Sequence, residues 1–127
     1  MVDGADPRSD PESCIASAAA DMGLELSAEA VGRLQRYLDL HQRWNAVYNL
    51  TAVRDPAAMR VQHVFDSLAV VGPLVRVTAA LTLPRVLDVG SGAGVPGVIL
   101  AIADTRFRVT CVDTVGKKAA FVSQVAG

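Results

Sequence analysis

The sequence predicts an α/β fold: a run of helices followed by the opening of a parallel sheet. Three observations predict it. Apolar residues recur at spacings of three and four through the first half, the signature of amphipathic helices. Beyond Pro84 the pattern changes to short apolar runs separated by helix-length stretches, reading strand, helix, strand, helix. Between the first of those strands and its helix lies "VLDVGSGAGVPGVILA", Val86 to Ala101, with glycines at 90, 92, 94 and 97.

The elements follow in order. The opening "MVDGADPRSDPES" is acidic and rich in Pro, Asp and Ser, so residues 1–20 are expected to form a disordered tail rather than a signal peptide. A helical segment is expected over 21–80. Ser27 is a suitable N-cap with Glu29 in the first turn, and Val31, Leu34, Tyr37, Leu38, His41, Trp44 and Tyr48 form one apolar stripe. Residues 49–53 read as an extended connector. Asp55 and Pro56 then open another helix, Asp as cap and Pro where its missing N–H costs nothing. That helix carries Met59, His63, Phe65 and Leu68 and is expected to stop near Gly72 and Pro73. In the remaining segment, 81–127, strands are expected over 86–89 and 107–112 and helices over 95–103 and 114–126, joined by right-handed crossovers. Two parallel strands cannot shield both faces of a sheet, so the expectation is that this chain is the front portion of a larger protein.

Composition narrows the classes. The chain has 127 residues, half of them apolar, and a net charge of −1, so charge gives no sign of a nucleic-acid partner. Its two cysteines, Cys14 and Cys111, show no metal-ligand spacing and suit a reduced cytosolic protein. The longest uncharged run, 89–103, is interrupted by Gly and Pro and falls short of a bilayer span. No metal and no membrane are expected.

Two ligand fingerprints overlap in the glycine loop. From Gly92 to Gly97 the letters fit G-x-G-x-x-G, the dinucleotide pattern. From Asp88 to Gly94 they fit an acidic residue followed by G-x-G-x-G, the pattern of S-adenosylmethionine (SAM) methyltransferases. Either ligand would use an acidic residue some twenty positions on for its ribose hydroxyls, and Asp113 stands at the end of the second strand. Charge separates the two. A pyrophosphate at the helix N-terminus would sit close to Asp88, and like charges a few ångströms apart cost on the order of 1–4 kcal/mol. SAM brings an ammonium and a sulfonium, which a carboxylate favours. Asp113 would likewise repel the 2′-phosphate of NADP. SAM is the favoured ligand; an NAD-binding oxidoreductase fragment and a ligand-free structural turn remain as alternatives.

The motifs also occur in a recognisable order. Trp44-Asn45, Asn49-Leu50-Thr51, His63 with Asp66-Ser67-Leu68, the strand and loop from Val86 to Gly97, Asp113, and Gly116-Lys117-Lys118 with Phe121 together resemble the ribosomal RNA small-subunit methyltransferase G family, also called glucose-inhibited division protein B. The resemblance covers about Leu24 to Val125. It implies the first βαβα portion of a class I SAM-dependent (Rossmann-like) sheet, incomplete in this chain, and a bacterial cytoplasmic enzyme that methylates N7 of one guanine in 16S rRNA within the small ribosomal subunit. It also implies that Gly90 and Val95 contact the cofactor, that Gly92 and Gly94 allow its close approach, and that Asp88 and Asp113 hold its methionine end and ribose. Members of the family continue well past this chain's last residue, so an inactive truncated product is a further alternative.

Such a reaction asks little of acid–base chemistry. Guanine N7 offers an in-plane lone pair and has no proton to lose. Rate comes from alignment, for which effective molarities reach about 10⁵–10⁸ M, so no catalytic residue is assigned. The other residues have structural readings to weigh. His63 and Asp66 are spaced for an i,i+3 pair, Asn49 for capping the preceding helix or lining the cofactor pocket, and Trp44 for the core. Arg33, Arg36, Arg43, Arg54 and Arg60, and by default Lys117 and Lys118 too, read as a solvated face, with contact to RNA phosphate an alternative for the lysine pair.

Overall fold

The computed structural model describes residues 10–127. Six α-helices and two strands follow one another as α1 (Pro11–Asp21), α2 (Ala28–Tyr48), α3 (Pro56–Met59), α4 (Asp66–Val77), β1 (Arg85–Val89), α5 (Gly97–Ala103), β2 (Arg108–Val112) and α6 (Gly116–Ala126), with a π-helical stretch, Arg60–Phe65, between α3 and α4. The strands pair in parallel from Arg85 against Arg108 to Val89 against Val112.

The expected caps form. The Ser27 hydroxyl accepts from the Ala30 amide at 3.0 Å, and the Asp55 carboxylate accepts from the Ala58 amide at 2.8 Å with Pro56 in the first turn. Each satisfies a helix-start amide that lacks an intrahelical partner.

Several boundaries differ from expectation: each strand start shifts by one residue and α6 begins at Gly116 rather than at 114, and three further differences have a physical reason. Residues 11–20, expected to belong to a disordered tail over 1–20, form most of α1; residues 1–9 lie outside the described residues. Asp10 caps α1, Pro11 occupies its first turn, and Ile15 and Ala19, one turn apart, are buried against the other helices. The helix expected to stop near Gly72 and Pro73 runs through Pro73 to Val77. Leu74 and Val75 pack against the core beyond the proline, and that burial outweighs the one lost backbone bond. The helix after the glycine loop begins at Gly97 rather than Val95, because residues 91–96 form turns, with a cis bond between Val95 and Pro96.

One cluster of buried side chains joins both halves, from Ile15, Leu34, Tyr37 and Leu68 to Ile99, Leu100, Phe107 and Phe121. Helices α2, α5 and α6 cover one face of the sheet, where Val86, Asp88, Val109 and Cys111 are half-buried. The opposite face stays open: Leu87, Val89 and Val112 are 63%, 74% and 47% exposed. Among the described residues no helix is long and apolar enough to cross a membrane.

Candidate cofactor site

The site is built where both parallel strands end. There the chain must leave β1 and turn into α5, and three glycines make the turn: Gly90, Gly92 and Gly94 have φ of 73°, 56° and 88°, values that side chains rarely tolerate. A Cβ at Gly90 or Gly92 would meet nothing within 4 Å, so one side of the loop is open space that a ligand can enter. A Cβ at Gly97 would lie 2.7 Å from Cys111 Sγ and 2.8 Å from Asp88 Oδ2, so close packing of α5 on the sheet requires that glycine.

Both predicted carboxylates reach the loop. Asp88 Oδ2 accepts from the Gly97 amide at 2.9 Å, capping the start of α5 from the strand below. Asp113 accepts twice, from the Gly92 amide at 2.9 Å and from the Val115 amide at 2.8 Å. Those two backbone bonds, Val115 first, hold the Asp113 carboxyl below its ordinary pKa, with Lys118 adding to the effect. Each carboxylate oxygen retains a lone pair for a ligand after these bonds.

Six amides of the loop are satisfied within the protein. Those of Gly90 and Ser91 donate to the Val112 carbonyl, those of Gly94 and Val95 to the Ser91 carbonyl, and those of Gly92 and Gly97 to the carboxylates. Val95, predicted as a cofactor contact, therefore has its N–H committed to Ser91. A phosphate site at a helix N-terminus depends on free amides and a positive dipole end. Here those six amides are paired, and a carboxylate occupies the dipole end.

The helical half supports the loop from behind. The buried Tyr37 hydroxyl donates to the Ala93 carbonyl at 2.9 Å, a contact between residues 56 positions apart. Nothing in the local pattern announces it. A cavity of about 670 Å³ lies between α2, α5, α6 and β2; it includes Gly97 and Cys111 in its lining but none of Gly90, Gly92, Gly94 or Asp113. Burial, with Asp88 close by, raises the Cys111 thiol pKa.

The remaining candidates take structural positions. Asn49 is the left-handed C-cap of α2, its side chain bonded to Arg54. Trp44 packs against Phe121, ring centres 5.6 Å apart. The expected His63–Asp66 pair does not form: His63 turns inward, its ring 4.9 Å from that of His41, while Asp66 is exposed. Burial, and then His63, lowers the His41 pKa to about 4; burial also lowers that of His63. Of the cations, Arg33 pairs with Glu29 at 2.7 Å, and Lys117 Nζ donates to the carbonyls of Tyr48 and Asn49 at 3.0 and 3.1 Å.

A strand, a glycine turn pinned by carboxylates, a helix, and a parallel second strand followed by an aspartate define the opening unit of a Rossmann-like fold. The family can be stated more closely. Residues 31–127 match the rRNA small subunit methyltransferase G (GidB) family. The chain is 54% identical over 110 residues to the "Ribosomal RNA small subunit methyltransferase G" of Bordetella avium, covering 87% of this chain and 49% of that protein. It is 58% identical over 102 residues to the protein so named from Methylibium petroleiphilum, covering 80% of this chain and 46% of the relative. With that of Leptothrix cholodnii the identity is 53% over 116 residues, 91% and 52% of the two chains. The chain belongs to this family, and it spans about half the length of these curated relatives.

Proposed function

We propose that this chain carries the cofactor-binding portion of an enzyme that transfers a methyl group from SAM to N7 of a guanine in 16S rRNA. The observation that supports the ligand is the state of the glycine loop: six of its amides are paired internally and two carboxylates border it. That electrostatic character suits a cation and disfavours a pyrophosphate. Family membership supports the reaction and its ribosomal substrate.

Bound there, SAM supplies a methyl group on an already activated sulfonium. The protein's part is to hold and orient. Gly90, Gly92 and Gly94 would let the cofactor approach the backbone, and Val95 would border it through its side chain. Asp88 would favour the ammonium through its remaining lone pairs, and Asp113 would receive the ribose hydroxyls. A guanine N7 needs no base, so no side chain here is assigned a proton. The same reading puts the protein in the bacterial cytoplasm beside its ribosomal substrate.

Calorimetric titration of the chain with S-adenosylhomocysteine and with NADH tests the ligand. Binding of the first alone is expected; binding of NADH alone overturns the reading. Methyl transfer from labelled SAM to unmethylated small subunits, compared with the full-length Bordetella avium relative, tests the reaction. Mapping of the product to a site other than guanine N7 would overturn the assignment of the base.

A further inference from the structure

The last turn of α2 presents an aromatic ring and two fixed cations at one place. Tyr48 is 50% exposed, and its inner side is supported by Trp44, ring centres 5.0 Å apart. Trp44 is in turn braced by Phe121 of α6. The ring is thus held by packing yet leaves surface for a partner. Lys117 Nζ sits on the carbonyls of Tyr48 and Asn49. Arg54 donates to the Asn45 carbonyl and to the Asn49 side chain.

Those carbonyls are the negative end of α2, worth roughly half an elementary charge. Two full positive charges compensate it, so the spot stays net positive. Lysine has three donors and arginine five; two of each are engaged, and the rest are available. The cations are also held in place before any partner arrives, which reduces the side-chain entropy lost on binding. The surface adjoins the cofactor loop through α6, since Lys117 lies four residues beyond the Asp113 that bonds Gly92.

We propose that the C-terminal end of α2 is a docking surface for single-stranded RNA, with a base stacked on Tyr48 and phosphates on Lys117 and Arg54. The nature of the partner rests on the rRNA methyltransferase reading above. An exposed aromatic flanked by cations is how proteins take unpaired nucleotides, because every base has a π-face and every linkage a phosphate. A duplex keeps its faces stacked internally and offers the ring nothing.

The test titrates the chain with a short fluorescein-labelled oligoribonucleotide of mixed sequence, single-stranded or annealed to its complement, and with inorganic polyphosphate. Preference for the single strand is expected. Tyr48→Leu weakens that binding about tenfold or more, whereas Tyr48→Phe stays within about twofold of the parent. Trp44, the chain's one tryptophan, reports the contact by a fluorescence change that Tyr48→Leu abolishes. Lys117→Met lowers the slope of log affinity against log salt by about one. Affinity for S-adenosylhomocysteine is unchanged in Tyr48→Leu. The proposal is overturned if Tyr48→Leu binds RNA like the parent, if it loses both ligands together, or if duplex or polyphosphate binds as well as the single strand. Selective RNA binding without any S-adenosylhomocysteine binding would sink the cofactor reading and leave this surface standing.

Discussion

In the helical segment Ile15, Leu34, Val64 and Leu68 are wholly shielded from solvent, while in the α/β segment Leu87 and Val89 of the same apolar character stand in it. The helices close a core among themselves and can bury even two imidazoles. The strands close only the face that α2, α5 and α6 cover. Packing energy is therefore concentrated on one side of the sheet, and the glycine loop lies at its border, held by Tyr37 from the closed side. A site so placed borrows its rigidity from the helical layer.

Three tests sharpen or break this contrast, taken from the largest expected effect. Leu34→Ala should destabilise the chain by about 2–5 kcal/mol, and Leu87→Ala should change it by no more than about 0.5 kcal/mol. Urea unfolding measures both; equal losses would show that the two regions do not differ in packing.

The buried histidines come next. His41 has a folded pKa of about 4 against an ordinary 6.5, so between those values the unfolded chain binds more protons than the folded one. Stability is then fully present above about pH 6.5 and falls as pH drops towards 4, by on the order of 3 kcal/mol from His41, with His63 acting in the same direction. His41→Leu should flatten most of that slope in urea midpoints measured across the range. A slope that persists undiminished would place the titrating groups elsewhere.

Gly97→Ala comes last, with an expected loss of stability of about 1–3 kcal/mol, because its new methyl must displace the Cys111 and Asp88 side chains. Since Asp88 also holds the start of α5, binding of S-adenosylhomocysteine should weaken with it. Thermal unfolding and calorimetry on the same variant would show whether the border between the regions is as tight as the distances indicate.

What could be read from the sequence was what local chemistry decides. Ser27 and Asp55 cap helices through atoms three residues away. The glycine turn, both strands and the two aspartates are likewise specified within short spans or by a single strand spacing. Helix α1 was legible in principle, since Asp10-Pro11 repeats the grammar of Asp55-Pro56, but its acidic, serine-rich surroundings hid the buried pair Ile15 and Ala19. The inward turn of His63 was not legible, because its partner His41 lies on another helix. Nor was Tyr37 on Ala93. Both are products of collapse, and no periodicity encodes them.

That hydroxyl-to-carbonyl latch has a bearing on the order of events during synthesis. Chains fold from the N-terminus as they emerge, so α2 is made before Ala93. The anchor is ready first, and the turn it fixes gains its final shape only on docking there. Affinity for the proposed cofactor would accordingly be a late property, acquired when two distant stretches meet.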